Sequence, residues 1–493
     1  MFPPIADIYR LLPEIVACGF GILVMLLEPF VARERKIWIA RLGLLGALAS
    51  LVAVVWSLEH PGEGFSGLIV IDDFSVFLRL LIYAVAPLVV LGSFDYLERE
   101  GIHRGEYYAL VLFGVAGMGI MACANELITA FIGLEMSSIA SYILAGFRRN
   151  ALTSNESAMK YFLLGSFATA FFLYGVALLY GAAKTTNIHR LGMEIPGAWQ
   201  HSATLVTLGM AMVFIGLAFK VATVPFQLWT PDAYEGAPTP VTALLSSGPK
   251  AAAFAVMVRV FFVAFGSDQL SNAWFWAVWI SAILTMFAGN LAALVQTNVK
   301  RMLAYSSIAH AGYILVAFAA GGNYGIAAIL FYLVAYALTK VGAFTIIAHL
   351  GEAGERRLDM RDYAGLGVKQ PFTAAALSLF LLSLLGLPVT AGFLGKLYIF
   401  NAALDAAKQE PSLSRPMMTL AIVLAVNSVI AAYYYLRLIV AMYFHAPTDD
   451  WSPAPLPLAV AVVVVLTAAG TLYLGLLPDA VNFFAQQGAI SLR

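Results

Sequence analysis

Charge is scarce in this sequence. Only 11% of its 493 residues are Asp, Glu, Lys or Arg, and the 28 acidic and 28 basic side chains cancel to a formal net charge of zero. Such a balance offers no basic surface for nucleic acid, and so few charges cannot clothe a water-soluble core of this length. Cysteine is scarcer still. Cys18 and Cys123 both fall in apolar stretches, which favours core thiols over a disulfide or a metal site. Glycine-rich nucleotide loops, haem-attachment motifs and iron–sulfur cysteine spacings are missing as well, so the chain has no visible means of holding a nucleotide or a redox cofactor.

Apolar runs fill the space that charge leaves. Hydrophobic residues make up 61% of the chain, gathered in windows of about 18–25 residues that can each cross roughly 30 Å of hydrocarbon as a helix. Spans are expected near 11–32, 37–57, 73–95, 106–124, 127–147, 157–181, 203–229, 239–265, 273–296, 303–320, 325–349, 371–402, 417–445 and 456–477. The fold class is therefore an all-α integral membrane protein of about 14 transmembrane helices. The first span carries Glu14 and Glu28 and lacks the basic start of a cleavable signal, so it is expected to stay in the mature chain. Loop charge sets the orientation. One side holds Arg33, Arg35, Lys36, Arg41, Arg99, Arg104, Arg148, Arg149, Lys300, Arg301, Arg356, Arg357, Arg361 and Lys369; the other holds only Arg10, Lys184, Arg190, Lys408, Arg415 and Arg493. Basic loops remain cytoplasmic, which directs both termini outward.

The remaining basic residues lie within spans: Arg79, Lys160, Lys220, Lys250, Arg259, Lys340, Lys396 and Arg437. Each costs about 2.5–3.5 kcal/mol at a helix centre and demands compensation. Arg79 and Arg259 lie near boundaries and are expected to snorkel. The lysines at 220, 250, 340 and 396 lie deeper, with Glu135 as the one carboxylate near a span centre. Burial disfavours an ammonium, so such amines are suited to taking and giving protons. The bland alternative for any one of them is an anchor bonded to backbone carbonyls. Trp274, Trp276 and Trp279 open a span and suggest an interfacial belt, while small and polar residues such as Thr242, Ser246, Ser247, Tyr305, Ser306, Ser307 and Thr339 lie between the lysines.

Two apolar stretches carry helix breakers. Pro225 follows Lys220 and precedes Pro231, Pro238 and Pro240, while Gly386, Pro388, Gly392 and Gly395 lead to Lys396. Both read as broken helices, the seventh and twelfth, although a simple proline kink would leave the same trace; breaks in corresponding places of two halves point to an ion site. Five helices from the fourth and five from the ninth pair Glu135 with His310, Lys160 with Lys340 and Lys220 with Lys396. Five being odd, the two units would be inverted repeats. The expected division is 1–104 for helices 1–3, 105–265 for the first repeat, 266–445 for the second and 446–493 for the last helix.

The motif "AFKVATVPFQLWTPDAYEGAPTPVTALLSSGPKAA" (218–252), with Glu135 in its helix and "GLPVTAGFLGKLYIF" (386–400), resembles the antiporter-like N subunits of bacterial NADH:quinone oxidoreductase, respiratory complex I. The resemblance covers nearly the whole chain. It implies fourteen helices with two inverted five-helix units, broken helices 7 and 12, and a mid-membrane hydrophilic axis. It implies a proton relay of Glu135, Lys160, Lys220, Lys250, His310, Lys340 and Lys396, with breaks at Pro225, Gly386 and Pro388. FMN, iron–sulfur clusters and quinone would belong to partner subunits, in the bacterial inner membrane. The M-type relatives carry glutamate where this chain has Lys396. Gln227 departs from the family pattern, which leads one to expect histidine there. Glu135 and Lys220 are expected to form an ion pair whose opening frees the amine's proton. Two other readings stand beside this one: a subunit of a sodium/proton antiporter complex, and a non-pumping structural subunit.

Overall fold

The computed structural model describes residues 4–32, 35–447 and 453–492. Arg33 and Arg493, two of the loop charges named above, lie outside them. The helices are α1 Ile5–Arg10, α2 Leu12–Leu27, α3 Ile37–Ser57, α4 Asp73–Arg99, α5 Gly105–Cys123, α6 Leu127–Ala145, α7 Leu152–Ala183, α8 Ile188–Val221, α9 Trp229–Gly236 and α10 Thr239–Arg259. They continue as α11 Asp268–Leu294, α12 Val299–Ala320, α13 Gly322–Leu350, α14 Leu366–Lys369, α15 Pro371–Leu385, α16 Ala391–Gln409, α17 Ser414–Phe444, α18 Leu458–Leu476 and α19 Asp479–Ser491. Thirteen helices among the described residues are long and apolar enough to cross a bilayer, and α15 is a shorter apolar one. One antiparallel hairpin, β1 Gly62–Gly64 with β2 Ile69–Ile71, lies between α3 and α4.

A helix hydrophobic all round belongs inside a bundle. Helix α10 is that helix: its whole apolar window is buried, as is 94% of that of α12 and 89% of that of α13, against 28% for the first span. These three interior helices carry Lys250, His310 and Lys340. Peripheral helices leave Leu, Ile and Phe exposed, as a lipid-facing surface requires.

The two stretches with breakers are both interrupted. Helix α8 ends at Val221, Ala222 adopts a left-handed conformation (φ 63°), and helix resumes at Trp229. Helix α15 ends at Leu385, Gly386 takes φ 90°, and helix resumes at Ala391. The two ends close alike. Thr223 N donates to Ala218 O and Ala222 N to Phe219 O; Leu387 N donates to Leu382 O and Gly386 N to Ser383 O. This is the left-handed cap that satisfies the last carbonyls of a helix. A Cβ on Gly392 would sit 1.8 Å from Ser383 O, so only glycine lets α16 begin so close to the end of α15.

Helices α6 and α12 begin with matching backbone contacts. Glu126 bridges Asn187, with Leu127 N donating to Thr186 O and Ile188 N to Asn125 O. Asn298 bridges Asp359, with Val299 N donating to Leu358 O and Met360 N to Thr297 O. The bridged residues are equally far apart in both cases. Each residue opening a bridge also caps its helix, Glu126 accepting from Thr129 N and Asn298 from Arg301 N.

Several charges are placed differently from what the sequence leads one to expect. Arg79 does not snorkel: it is wholly buried and pairs with Glu14 through Nε (3.1 Å) and a second guanidinium nitrogen, while also donating to Arg10 O at 2.9 Å. Arg259 is likewise buried and holds Asp72 through two bonds of 2.8 and 2.9 Å. Lys300 is not a loop charge but a fully buried residue of α12. Linear distance from a boundary says nothing about which face a side chain occupies, and here that face is internal. The tryptophans divide too. Trp276 is 51% exposed, but Trp274 is buried among Phe261, Phe262 and Phe318, and Trp279 donates to Pro416 O. Helix α8 starts before the expected 203, but its backbone is non-helical at Ser202, so the apolar run proper begins beyond that kink. Cys18 and Cys123 are free thiols.

Candidate functional site

The interior helices bring a line of polar side chains together. On α10, Lys250 Nζ donates to Ser307 O (2.7 Å) and Ser307 Oγ (2.8 Å). Tyr336 OH donates to the same Ser307 hydroxyl at 2.7 Å. One turn along α13, Lys340 Nζ donates to Leu303 O (2.8 Å) and Ser306 Oγ (3.2 Å). The Tyr336 ring lies between the two amines, 5.4 Å from Lys250 Nζ and 5.6 Å from Lys340 Nζ. From Ser306 the line continues through Tyr435 OH (2.6 Å) to His310 Nε2 (3.1 Å), and from His310 Nδ1 to Tyr332 OH (2.5 Å). Every one of these side chains is buried.

Lys396 closes this end of the line. Its amine stands 4.8 Å from the Tyr313 ring centre and donates to Leu385 O at 2.8 Å. A residue after the interruption thereby satisfies the last carbonyl before it, which would otherwise be an orphan. At the other interruption Trp229, which also follows the break, donates its Nε1 to Phe219 O at 2.9 Å, a carbonyl that already accepts from Ala222 N. Tyr313 also accepts from Asn290 Nδ2 (3.0 Å), which donates to Asn427 Oδ1 as well.

Lys220 lies apart from the line. It is buried, the second-last residue of α8, and among the described residues no hydrogen bond joins it to Lys250. The intervening side chains are aromatic: Tyr161 stacks on Trp229, and Trp229 meets Tyr234 edge-on at 6.1 Å. The expected ion pair with Glu135 is not formed. Glu135 Oε1 is buried without a partner, and Lys220 has no carboxylate within 4 Å; its nearest company is the Tyr142 and Tyr161 rings. Glu135 belongs to an outward row of α6 with Ile128, Ile132, Ile139 and Ile143, spaced three and four residues apart, and all four isoleucines are exposed. Its backbone lies on that row, but its Oε1 is buried and its charge reaches Lys220 electrostatically, so the carboxylate stands near the amine without contacting it.

Lys160 departs furthest from expectation. Its side chain is 44% exposed and pairs with Glu156 (2.7 Å) and Asp232 (2.8 Å), outside the buried line. Asp232 also holds Arg301 at 2.9 Å, and Arg301 holds Glu235 at 2.7 Å. The pairing of Lys220 with Lys396 is offset as well: Lys220 precedes its interruption and Lys396 follows its own. Counting equally far from the two matching bridges sets Glu135 opposite Ser307 and Ser138 opposite His310.

The tyrosines are what sequence reasoning missed. Tyr332, Tyr336 and Lys340 recur every four residues on α13, a spacing that puts them on one helix face; that period is the signal that could have found them. Arg437, another of the basic residues within spans, donates to the carbonyls of Leu294 and Gln296. At one end of the bundle, Glu355 in the loop after α13 gathers Lys300 (2.9 Å), Arg148 (3.2 Å), Tyr96 OH (2.8 Å) and Thr239 N (2.9 Å). Burial alone would raise its carboxyl, but Lys300, Arg148 and Thr239 together hold it below the usual carboxylate range. Among the described residues, no group of three or more His, Cys, Asp or Glu is placed to hold a metal ion.

Comparison with known proteins follows the same lines. Residues 124–413 match the family described as "NADH:quinone oxidoreductase/Mrp antiporter, TM". NADH-quinone oxidoreductase subunit N 1 of Solibacter usitatus is 46% identical over 491 residues, covering 99% of this chain and 98% of that one. A chain of respiratory complex I from Thermus thermophilus superposes with a TM-score of 0.79 at 33% identity, over 95% of this chain and 98% of that one. A chain of the Mrp complex from Dietzia sp. superposes with a TM-score of 0.85, over 99% and 98% respectively, but at 23% identity it speaks for the fold alone.

Proposed function

This chain belongs to the NADH:quinone oxidoreductase/Mrp antiporter membrane-subunit family, and from that membership we propose that it is the N-type subunit of a bacterial complex I, moving protons while other subunits carry out the redox chemistry. The observation that carries this reading is a pair of buried hydrogen-bonded runs, Lys250–Ser307–Tyr336 and Lys340–Ser306–Tyr435–His310–Tyr332, which meet where the Tyr336 ring stands 5.6 Å from Lys340 Nζ. A lysine kept from water loses much of what favours its charged form, and hydroxyl groups between amines both accept and donate. Protons would be passed between Lys220, Lys250, Lys340, His310 and Lys396, a set that titrates together rather than singly. Lys160 would act at the surface, and Glu135 beside Lys220, where its charge reaches the amine.

In this reading residues 105–265 and 266–445 form two inverted units. The matching bridges at Glu126 and Asn298 and the matching caps at Ala222 and Gly386 are what a repeat of this kind leaves behind. In it, α8 with α9 forms broken helix 7, and α15 with α16 forms broken helix 12. FMN, iron–sulfur clusters and quinone would be held by the partner subunits, and both termini would face the periplasm across the inner membrane.

Purification of the tagged chain in mild detergent tests the assignment. Recovery within a large assembly that oxidises NADH with a quinone acceptor is the expected result, and Lys220→Ala in that assembly should abolish most proton pumping. Recovery with hydrophobic subunits only, and no NADH oxidation, would instead assign the chain to an antiporter complex. Normal assembly and undiminished pumping by Lys220→Ala and Lys396→Ala would leave a structural subunit.

A further inference from the structure

Lys220 is a buried amine with no carboxylate within 4 Å; Glu135 acts on it only from beyond contact, and two aromatic rings stand beside it. Its Nζ lies 5.3 Å from the centre of the Tyr142 ring and 5.4 Å from that of Tyr161. The two rings meet edge to face, 4.6 Å apart at 88°, so they present two different walls to one point. An ammonium within about 6 Å of an aromatic face is attracted by the ring's quadrupole, more strongly where water is excluded.

Both rings are held from behind. Tyr161 stacks flat on Trp229, 4.3 Å away at 8°, and Trp229 is fixed by its indole bond to Phe219 O, one residue before the lysine. Tyr142 is seated by the absence of a side chain opposite it: a Cβ on Gly165 would lie 2.0 Å from the Tyr142 hydroxyl. Gly165 is one helical turn beyond Tyr161, so α7 supplies one ring and makes room for the other. The surface bond from Lys160 to Asp232 joins α7 to α9 beside the Tyr161–Trp229 stack.

We infer that Tyr142 and Tyr161, backed by Trp229, form an aromatic clamp that seats the charged Lys220 side chain, and that these three are positioning residues for proton transfer at Lys220. The inference rests on the proton-moving reading given above. In it, the lysine keeps its proton while α9 stays packed on α7, and parting of the Tyr161–Trp229 stack would open one wall of the clamp.

Fluorinated phenylalanines test this directly, because fluorine drains the ring's negative face while leaving its shape almost unchanged. In the assembled complex, Tyr142 and Tyr161 would each be replaced by Phe and by phenylalanines of increasing fluorine content, with pumping measured per NADH oxidised. The Phe variants should stay within about twofold of the parent, and full fluorination should lower pumping by about threefold or more at each position. Fluorinated variants that pump like the Phe variants would overturn the clamp. A second pair avoids unnatural residues: Gly165→Ala should impair pumping, because its Cβ would lie 2.0 Å from the Tyr142 hydroxyl and 2.7 Å from Cζ, and Tyr142→Phe, which removes the nearer clash and leaves the other to a small ring shift, should restore part of it. No recovery in assembled Gly165→Ala/Tyr142→Phe protein would count against the clamp. Lys220→Ala run in parallel separates the two ideas: full pumping there sinks the relay itself, whereas lost pumping with fluorine-insensitive rings sinks the clamp alone.

Discussion

Ser307 receives Lys250 twice, its carbonyl oxygen at 2.7 Å and its hydroxyl at 2.8 Å from the same amine. The backbone half of that contact survives any substitution, but the hydroxyl half does not, and it is also the acceptor for Tyr336. Ser307→Ala should therefore leave Lys250 seated but strand the Tyr336 hydroxyl, a cost of about 1–3 kcal/mol. Pumping should fall by about tenfold while NADH oxidation by the detached hydrophilic part is unchanged. Pumping at the parental rate would remove Ser307 from the path.

Burial ranks the lysines. Lys340 is wholly buried and donates to Leu303 O and Ser306, whereas Lys160 is 44% exposed in a surface ion network. Lys340→Gln should cost nearly all pumping. Lys160→Gln should reduce it by about twofold or less, as expected of an exposed pair. The reverse order would mean that the surface network, not the interior line, carries the protons.

The Glu14–Arg79 pair lies among α2 and α4, away from the lysines. Removing one member of a buried pair strands the other, at about 3–5 kcal/mol. Arg79→Ala should lower the amount of assembled complex, and the fraction that does assemble should pump normally. Replacing both by methionine should recover most of the assembly, since a buried pair is worth little more than apolar packing of the same size. Quantitative native electrophoresis of membranes distinguishes these outcomes.

Glu355 gives the loop after α13 a dependence on pH. Its folded carboxyl titrates below the ordinary 4.5, so its stabilising share is complete above about pH 4.5 and is lost as pH falls through the lower folded value. Hydrogen exchange across 351–359 should be slow and constant from pH 7 to 5, once corrected for intrinsic rates, and should accelerate below. Glu355→Gln should exchange fast at every pH, because it leaves Lys300 and Arg148 without their shared acceptor.

The spans are legible in the sequence because a bilayer demands about 20 consecutive apolar residues, and few other folds supply so many such runs. Depth along a helix is equally legible. The face is not. Arg79 and Lys160 both lie within spans, yet one ends wholly buried against Glu14 and the other at the surface beside Asp232. Partners from distant segments are hidden for the same reason: Tyr435 reaches His310 across 125 positions, and no local pattern announces it. Equally, a glutamate and a lysine at mid-membrane suggest a pair, but only the fold reveals that Glu135 stays out of contact while two rings stand beside Lys220.

Phe74 N, one of the donors left open in the first turn of α4, finds its acceptor in Ser491 Oγ at 3.1 Å, and α19 lies against α4 and α13. A ribosome releases α4 into the membrane long before it makes α19. The start of α4 thus waits, unfinished, until Ser491, 417 positions further along, has been made. Insertion of this chain is consequently not a march of finished segments: an early helix is closed by a much later one.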